Sequence, residues 1–331
     1  MLEQDLRKAV DVVRAARRVL ILSHLHPDID TLGSALAMHH ALSRMGKETV
    51  VFNDSGVPPT MKFLPGSEVV VTKVNARSRF DCTLALDSGN RDRFGGPLMD
   101  EKQRERLGVI IKIDHHKFGE VFADIDLTDT DSASTGELVY RFLKHYPVEP
   151  DEIIATNIYS AIVSDTGFFN YSNTSPGAMR DAADMLEHGV KPWMVSRAIN
   201  ENKEVADLQI LADVLQTLQI SDCGRFATLY VTQEMKKLRN AHTYMLEGFV
   251  NYARSIKGVE VSALLREEGE GLWKASLRSA GNVDVAEICA KLGGGGHANA
   301  AGCHMNGTLP SVRKKLEGLV MKRLARLDTG K

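Results

Sequence analysis

Between Arg18 and Asp114, short apolar runs rich in β-branched residues alternate with stretches of helical periodicity. They read RVLILS at 18 to 23, a helical pattern through Met45, ETVVFN at 48 to 53, DCTLALD at 81 to 87 and GVIIKID at 108 to 114. Strands interleaved with helices pair in parallel through right-handed crossovers, so the alternation predicts an α/β domain with a mostly parallel sheet flanked by helices. Several of these runs also end in chemistry: Ser23-His24, Asp87 and Asp114. Ligands of open α/β sheets bind beyond the carboxyl ends of the strands, which is where these side chains are expected to converge.

Further helices are expected at about 133 to 145, 151 to 164 and 175 to 189, followed by a polar helical stretch from 193 to about 217 with Pro192 near its start. From Arg225 the pattern restarts with RFATLYVT, EVSALLRE at 260 to 267 and LWKASLRS at 272 to 279. A helix over 283 to 292, the glycine run 293 to 296 and a basic C-terminal helix complete it. This second pattern reads as a smaller α+β domain. A length of 331 residues suits two cores, and the expected division is 1–190, a helical linker 191–220, and 221–331.

Composition narrows the partners. With 43% apolar and 25% charged residues and no apolar run near bilayer length, no membrane span is expected. The N-terminal stretch reads as an amphipathic helix leading into a strand rather than as a secretory signal. Cys82, Cys223, Cys289 and Cys303 stand singly, without a CxxC pair, and are expected to be ordinary buried thiols in the reducing cytoplasm. A formal net charge of −2 gives no whole-molecule attraction for long duplex nucleic acid, so any affinity for phosphate must be local.

The segment His24-Leu25-His26-Pro27-Asp28-Ile29-Asp30 lies between a strand and a helix. Asp28 and Asp30 alternate, so both can face one cavity with His24, where their mutual repulsion is economically relieved by a cation. Carboxylate and imidazole suit Mn²⁺ or Mg²⁺ better than they suit a thiolate-binding metal. Asp87-Ser88-Gly89, Asp114-His115-His116 and Ser164-Asp165-Thr166-Gly167 are further stations at element ends. Each acid alone would pass as a turn or cap residue. Their conjunction on one side of the fold is harder to explain that way. The glycine run, in turn, by itself reads as a flexible connector, but it also offers backbone N–H groups unshielded by side chains, with Arg278 and His297 at hand for charge-assisted hydrogen bonds to a phosphate.

In this order and spacing, the four stations resemble those of the DHH phosphoesterases, and Gly293 through Gly302 resembles the signature of the accompanying DHHA1 domain. The resemblance covers nearly the whole chain. It implies two divalent cations, Mn²⁺ foremost with Mg²⁺ or Co²⁺ as alternatives. His24, Asp28 and Asp87 would hold one; Asp30, the shared Asp87, His115 and Asp165 would hold the other. Asp87, Asp114 and His116 are implied as the catalytic set, His116 facing the phosphate and Asp114 supporting the histidines from behind. Arg278, Gly294, Gly295, Gly296, His297 and Asn299 would bind substrate. Ile29, where the family often has glycine, and Phe168, where a polar residue is common, depart from the pattern without removing a ligand.

The pairing of domains at this length is similar to the small oligoribonuclease and 3′-phosphoadenosine 5′-phosphate phosphatase group. The expectation is therefore hydrolysis of very short RNAs or dinucleotides by metal-activated water, with the linker permitting hinge motion and a homodimer as the family-level assembly. Cyclic-dinucleotide hydrolysis is an alternative, as is a non-catalytic nucleotide sensor. A family II pyrophosphatase shares the metal stations but has a basic Ser-Arg-Lys-Lys type motif where this chain has GGGGH. A RecJ-like exonuclease would carry nucleic-acid-binding modules for which there is no room.

Overall fold

The computed structural model describes residues 2–95, 99–246 and 248–328, without the side chains of Leu2, Glu3, Glu101, Tyr244 and His297. An amphipathic helix α1 (Leu2–Ala15) leads into β1 (Arg18–Leu22), then α2 (Ile29–Arg44), β2 (Glu48–Phe52), β3 (Val70–Val71), β4 (Cys82–Leu86), β5 (Val109–Asp114) and β6 (Ile125–Thr128). These strands form one wholly parallel sheet in the order β3-β2-β1-β4-β5-β6. The chain builds outward from β1 to β3, then returns to lay β4 on the other side of β1. Strand order therefore reverses between β1 and β4, and the crevice opened by such a reversal is where open sheets bind ligands.

The strands are apolar on both faces because both are covered. On one face Val19, Ile21, Val51, Leu84, Ile111 and Ile113 pack under α1, α2 and the helices that follow β6: α3 (Thr135–Leu143), α4 (Glu152–Asp165) and α5 (Pro176–Glu187). On the other, Leu20, Leu22, Phe52, Ala85 and Ile110 are covered by Phe80, Phe94, Met99 and Leu107 from the segments around β4 and β5.

The chain divides into two compact units, residues 1–202 and 203–331. The helical stretch expected at 193 to 217 is two helices, α6 (Pro192–Asn200) and α7 (Val205–Leu215). The break has a local cause: the Glu204 N–H donates to Asp207 Oδ2 at 2.7 Å, which starts a new helix. Val195 of α6 joins the first core, whereas Ile210, Leu211 and Val214 of α7 join the second.

In the second unit, β7 (Gln219–Ile220), β8 (Phe226–Val231), α8 (Gln233–Leu238), α9 (Phe249–Arg254), β9 (Val261–Gly269), β10 (Leu272–Ser279), α10 (Val285–Ala290), β11 (Gly295–His297), β12 (Ala300–Asn306) and α11 (Leu309–Asp328) follow in order. They form a mixed sheet ordered β11-β12-β10-β9-β8-β7, in which β8 and β9 run parallel and the other neighbours antiparallel. Trp273, Ala275, Leu277, Cys303 and Met305 pack one face against Ile288 of α10 and Val312, Leu316 and Val320 of α11. Of the four cysteines expected to be buried, Cys223 is exposed. No helix among the described residues is long and apolar enough to cross a membrane.

Candidate metal centre

His24 follows β1 and Asp87 follows β4, so the reversal of strand order sets them side by side: His24 Nε2 lies 3.4 Å from Asp87 Oδ2. Asp28 serves twice. It is the N-cap of α2, its Oδ1 accepting from the Thr31 N–H at 3.0 Å, while Oδ2 stands 3.6 Å from His24 Nε2. The capping reading and the ligand reading thus use different oxygens of one carboxylate.

Asp30, one helical step inward, is fully buried. Its oxygens accept from the backbone N–H groups of Thr135 at 2.7 Å and Gly136 at 2.9 Å, and from the Ser34 hydroxyl at 3.2 Å. A carboxylate offers about four lone-pair positions, so these bonds fix Asp30 at the N-terminus of α3 and leave it one direction to spare. Asp87 adopts a left-handed backbone, φ 66°, and its Oδ1 accepts from the Thr135 hydroxyl at 2.9 Å. Backbone strain of this kind persists where the surroundings impose it, and here the Asp87 N–H is tied to the Ile113 carbonyl at 2.9 Å.

Asp114 ends β5, and the next two residues turn their rings into the same crevice. His115 Nε2 lies 3.2 Å from Asp165 Oδ2, 3.5 Å from Asp87 Oδ1 and 3.8 Å from Asp30 Oδ2. Asp165 occupies the last turn of α4, not a position beyond it as the sequence pattern suggests. His116 stands beside His115, its Nδ1 3.8 Å from Asp87 Oδ1 and 2.7 Å from Asp114 Oδ1, which also accepts the His116 backbone N–H at 3.2 Å. Asp114 is buried behind the histidines.

Three sets of donor atoms each lie within 4.8 Å of one another: His24, Asp28 and Asp87; Asp30, His115 and Asp165; and Asp87, His115 and His116. Asp87 joins the first set to the third, and His115 joins the third to the second. The electrostatics are those of a site short of positive charge. Burial, then the charges of Asp87 and Asp165, push the Asp30 carboxyl well above the usual range; burial, then Asp28 and Asp87, do the same to Asp165. Burial disfavours a charged His24, but Asp28 and Asp87 outweigh it and raise the imidazole to about 10. Burial opposes charge at Asp28 as well, and His24 outweighs it, lowering that carboxyl to about 2. Burial is likewise outweighed at His116, which Asp114 raises. The donor set, all oxygen and imidazole nitrogen, fits hard or borderline divalent ions.

Thr135, Gly136 and Arg93 contact these groups and are missed by the motif reading. Thr135 and Gly136 open a helix whose N-cap, Ser134, accepts from the Glu137 N–H at 3.3 Å, so Ser-x-x-Glu was the available signal. Arg93 Nη2 lies 2.9 Å from His24 Nδ1 and 3.3 Å from the Leu25 carbonyl. No local pattern connects it to His24.

In the second unit, Arg278 and the run Gly294, Gly295 and Gly296 line one trough of about 420 Å³. Gly294 is required sterically: a Cβ there would stand 2.1 Å from the Gly302 carbonyl and 2.5 Å from Cys303 Cβ. Part of the run is an edge strand, β11, rather than a free loop. Asn299 sits in the turn between β11 and β12, its carbonyl accepting the Ser279 N–H at 3.0 Å. The His297 side chain lies outside the described residues.

Comparisons with known proteins agree with this anatomy. Residues 18–162 match the DHH family, N-terminal domain, and residues 226–322 match the DHHA1 domain. The chain is 30% identical, over 305 residues, to the bifunctional oligoribonuclease and PAP phosphatase NrnA of Thermus thermophilus, covering 92% of this chain and 89% of that protein. The crystal structure of an exopolyphosphatase-related protein from Bacteroides fragilis superposes with a TM-score of 0.89 at 26% identity, covering 97% of this chain and 96% of that one. RecJ from Thermus thermophilus in complex with Mn²⁺ shares the fold, at TM-score 0.60 and 14% identity, over 98% of this chain and 55% of its own.

Proposed function

The chain belongs to the DHH phosphoesterase family with a DHHA1 domain, and from that premise we propose that it is a two-metal hydrolase of short oligoribonucleotides and 3′-phosphoadenosine 5′-phosphate. One observation carries the reading: His24, Asp28, Asp30, Asp87, His115 and Asp165, drawn from distant parts of the sequence, offer carboxylate and imidazole donors in overlapping sets of three, the atoms of each set within 4.8 Å of one another. His24, Asp28 and Asp87 would hold one ion; Asp30, Asp87, His115 and Asp165 the other. Mn²⁺ is the preferred ion, in keeping with the mixed oxygen and nitrogen donors. Bound there, the ions supply Lewis-acid charge at the phosphoryl oxygens and acidify water near neutral pH.

The protein's own groups do the rest. Thr135 and Gly136 orient Asp30 and Asp87. The Leu25 carbonyl, 2.9 Å from His24 Nδ1, would accept a hydrogen bond from Nδ1–H and so leave Nε2 for an ion. Asp114 keeps His116 protonated at Nδ1 and sets the ring toward a bound phosphate, where it stabilises charge or delivers a proton to the departing oxygen. Arg278, the N–H groups of Gly294, Gly295 and Gly296, and His297 and Asn299 bind the substrate's other phosphate or base. Small, local sites of this kind suit short substrates rather than long duplexes.

The test is a substrate panel with purified protein and Mn²⁺: pApA, longer oligoribonucleotides, 3′-phosphoadenosine 5′-phosphate, cyclic dinucleotides and pyrophosphate. Highest kcat/KM on the first three is expected. Pyrophosphate hydrolysis far outpacing that of dinucleotides, or binding without turnover, would overturn the reading.

A further inference from the structure

The open face of the second unit's sheet is longer than the glycine run and Arg278 account for. Outward side chains recur every second residue of a strand, about 7 Å apart. On β10 these are Lys274, Ser276 and Arg278, with Trp273, Ala275, Leu277 and Ser279 turned into the core. The register places His304 and Arg266 on either side of Lys274, Gly302 and Leu264 beside Ser276, and Ala300 and Ser262 beside Arg278. Over the β8 and β9 half of this face, α9 seals the sheet, Phe249, Val250 and Ala253 packing with Leu264. Over the β10 and β12 half the trough stays open, and its lining includes Lys274, Ser276 and His304 together with Arg278 and the glycines.

The far rung is charged and ordered. Glu268 pairs with Arg266 and, at 3.0 Å, with His304 Nε2, holding both beside Lys274. Lys274 and Arg266 against that one carboxylate leave the rung with excess positive charge. Gly302, beside Ser276, keeps the floor between the two rungs low. A straight row of donors, cation then hydroxyl then cation, matches a linear polyanion. A compact anion such as pyrophosphate would engage a single rung.

We propose that Lys274, assisted by Arg266, His304 and the Ser276 hydroxyl, forms a second phosphate subsite for short single-stranded oligonucleotides. At about 7 Å per step, Arg278, Ser276 and Lys274 offer three successive stations, so a strand with one phosphate at Arg278 and the glycine run brings the second beyond it to Lys274. The proposal rests on the oligoribonuclease reading above and refines it: a dinucleotide uses the Arg278 rung alone, and a tetranucleotide uses both.

The experiment compares kcat/KM of the full-length protein and its Lys274→Ala and Lys274→Arg variants on pApA and pApApApA with Mn²⁺, at several salt concentrations. For Lys274→Ala, the preference for tetranucleotide over dinucleotide should fall about tenfold, the scale of one charge-assisted hydrogen bond. The slope of log kcat/KM for the tetranucleotide against log salt should flatten by about 0.7, the counterion release of one single-strand phosphate contact. Lys274→Arg should restore both. If wild type cleaves both substrates and Lys274→Ala keeps its length preference and salt slope, the subsite is wrong and the oligoribonuclease reading stands. If wild type cleaves neither, that reading fails and the subsite with it.

Discussion

Asp87 holds a left-handed backbone while one of its carboxylate oxygens meets Thr135 and the other faces His24. Asparagine tolerates that backbone and removes the charge, so Asp87→Asn tests the ligand rather than the turn. It should lose bound Mn²⁺ by elemental analysis and at least about 10²–10³-fold in kcat/KM. Thr135→Val keeps the volume and deletes the hydroxyl that orients Asp87. Partners of this kind are worth about 10- to 100-fold in metal affinity, and a calorimetric Mn²⁺ titration should show that loss. His116→Asn should lower kcat by about 10²–10⁴-fold with metal content retained; departure of an ion instead would make His116 a ligand. At this scale the sequence was legible where the chemistry is contiguous. His24, Asp28 and Asp30 share one turn, and Asp114, His115 and His116 are adjacent, so type and spacing expose them. Arg93 reaches the site through tertiary packing alone, and the Ser134 cap before Thr135 marks a helix start without pointing to Asp30 or Asp87.

Helix placement governs the site as much as ligand identity does. The first turn of α2 carries Asp28 and Asp30, and α2 lies against α4, which carries Asp165. Gly33 makes that approach possible: a Cβ there would stand 2.6 Å from the Asn157 carbonyl. Gly33→Ala should therefore force the helices apart, costing about 1–3 kcal/mol in a denaturant melt and weakening metal binding as well. A melt and a Mn²⁺ titration both unchanged from wild type would show that the pair relaxes without strain. The β-branched runs of β1, β2, β4 and β5 are readable because both faces of a parallel strand are apolar. The short strands β3 and β6 are not, since two to four residues give no period to detect. The glycine run reads as a loop because glycine is depleted from strands, yet pairing with β12 holds Gly295, Gly296 and His297 extended.

Across the whole molecule, the unsatisfied charge of the centre predicts how stability responds to chelation and pH. Asp30, Asp165 and His24 bind protons more tightly in the folded than in the unfolded chain. The stability they contribute is full below their ordinary values and is lost as pH rises through the folded ones, for His24 between 6.5 and about 10. Asp28, lowered to about 2, acts in the opposite sense and only in acid, where its contribution is lost as pH falls. Chelated protein should thus melt at progressively lower temperature as pH rises above 6.5. The increment restored by Mn²⁺ should grow over the same interval, because the ion displaces those protons. An increment independent of pH would mean that the protons and the ion do not compete. The restart of the pattern at Arg225 corresponds to β8, whereas the helix break at Glu204 rests on a side-chain bond that periodicity does not register. Because strand order reverses between β1 and β4, the first and later halves of the parallel sheet must both be in place before His24 can meet Asp87. A nascent chain with only its early strands assembled has no cradle for an ion, so metal capture should coincide with the last cooperative step of folding and serve as its latch.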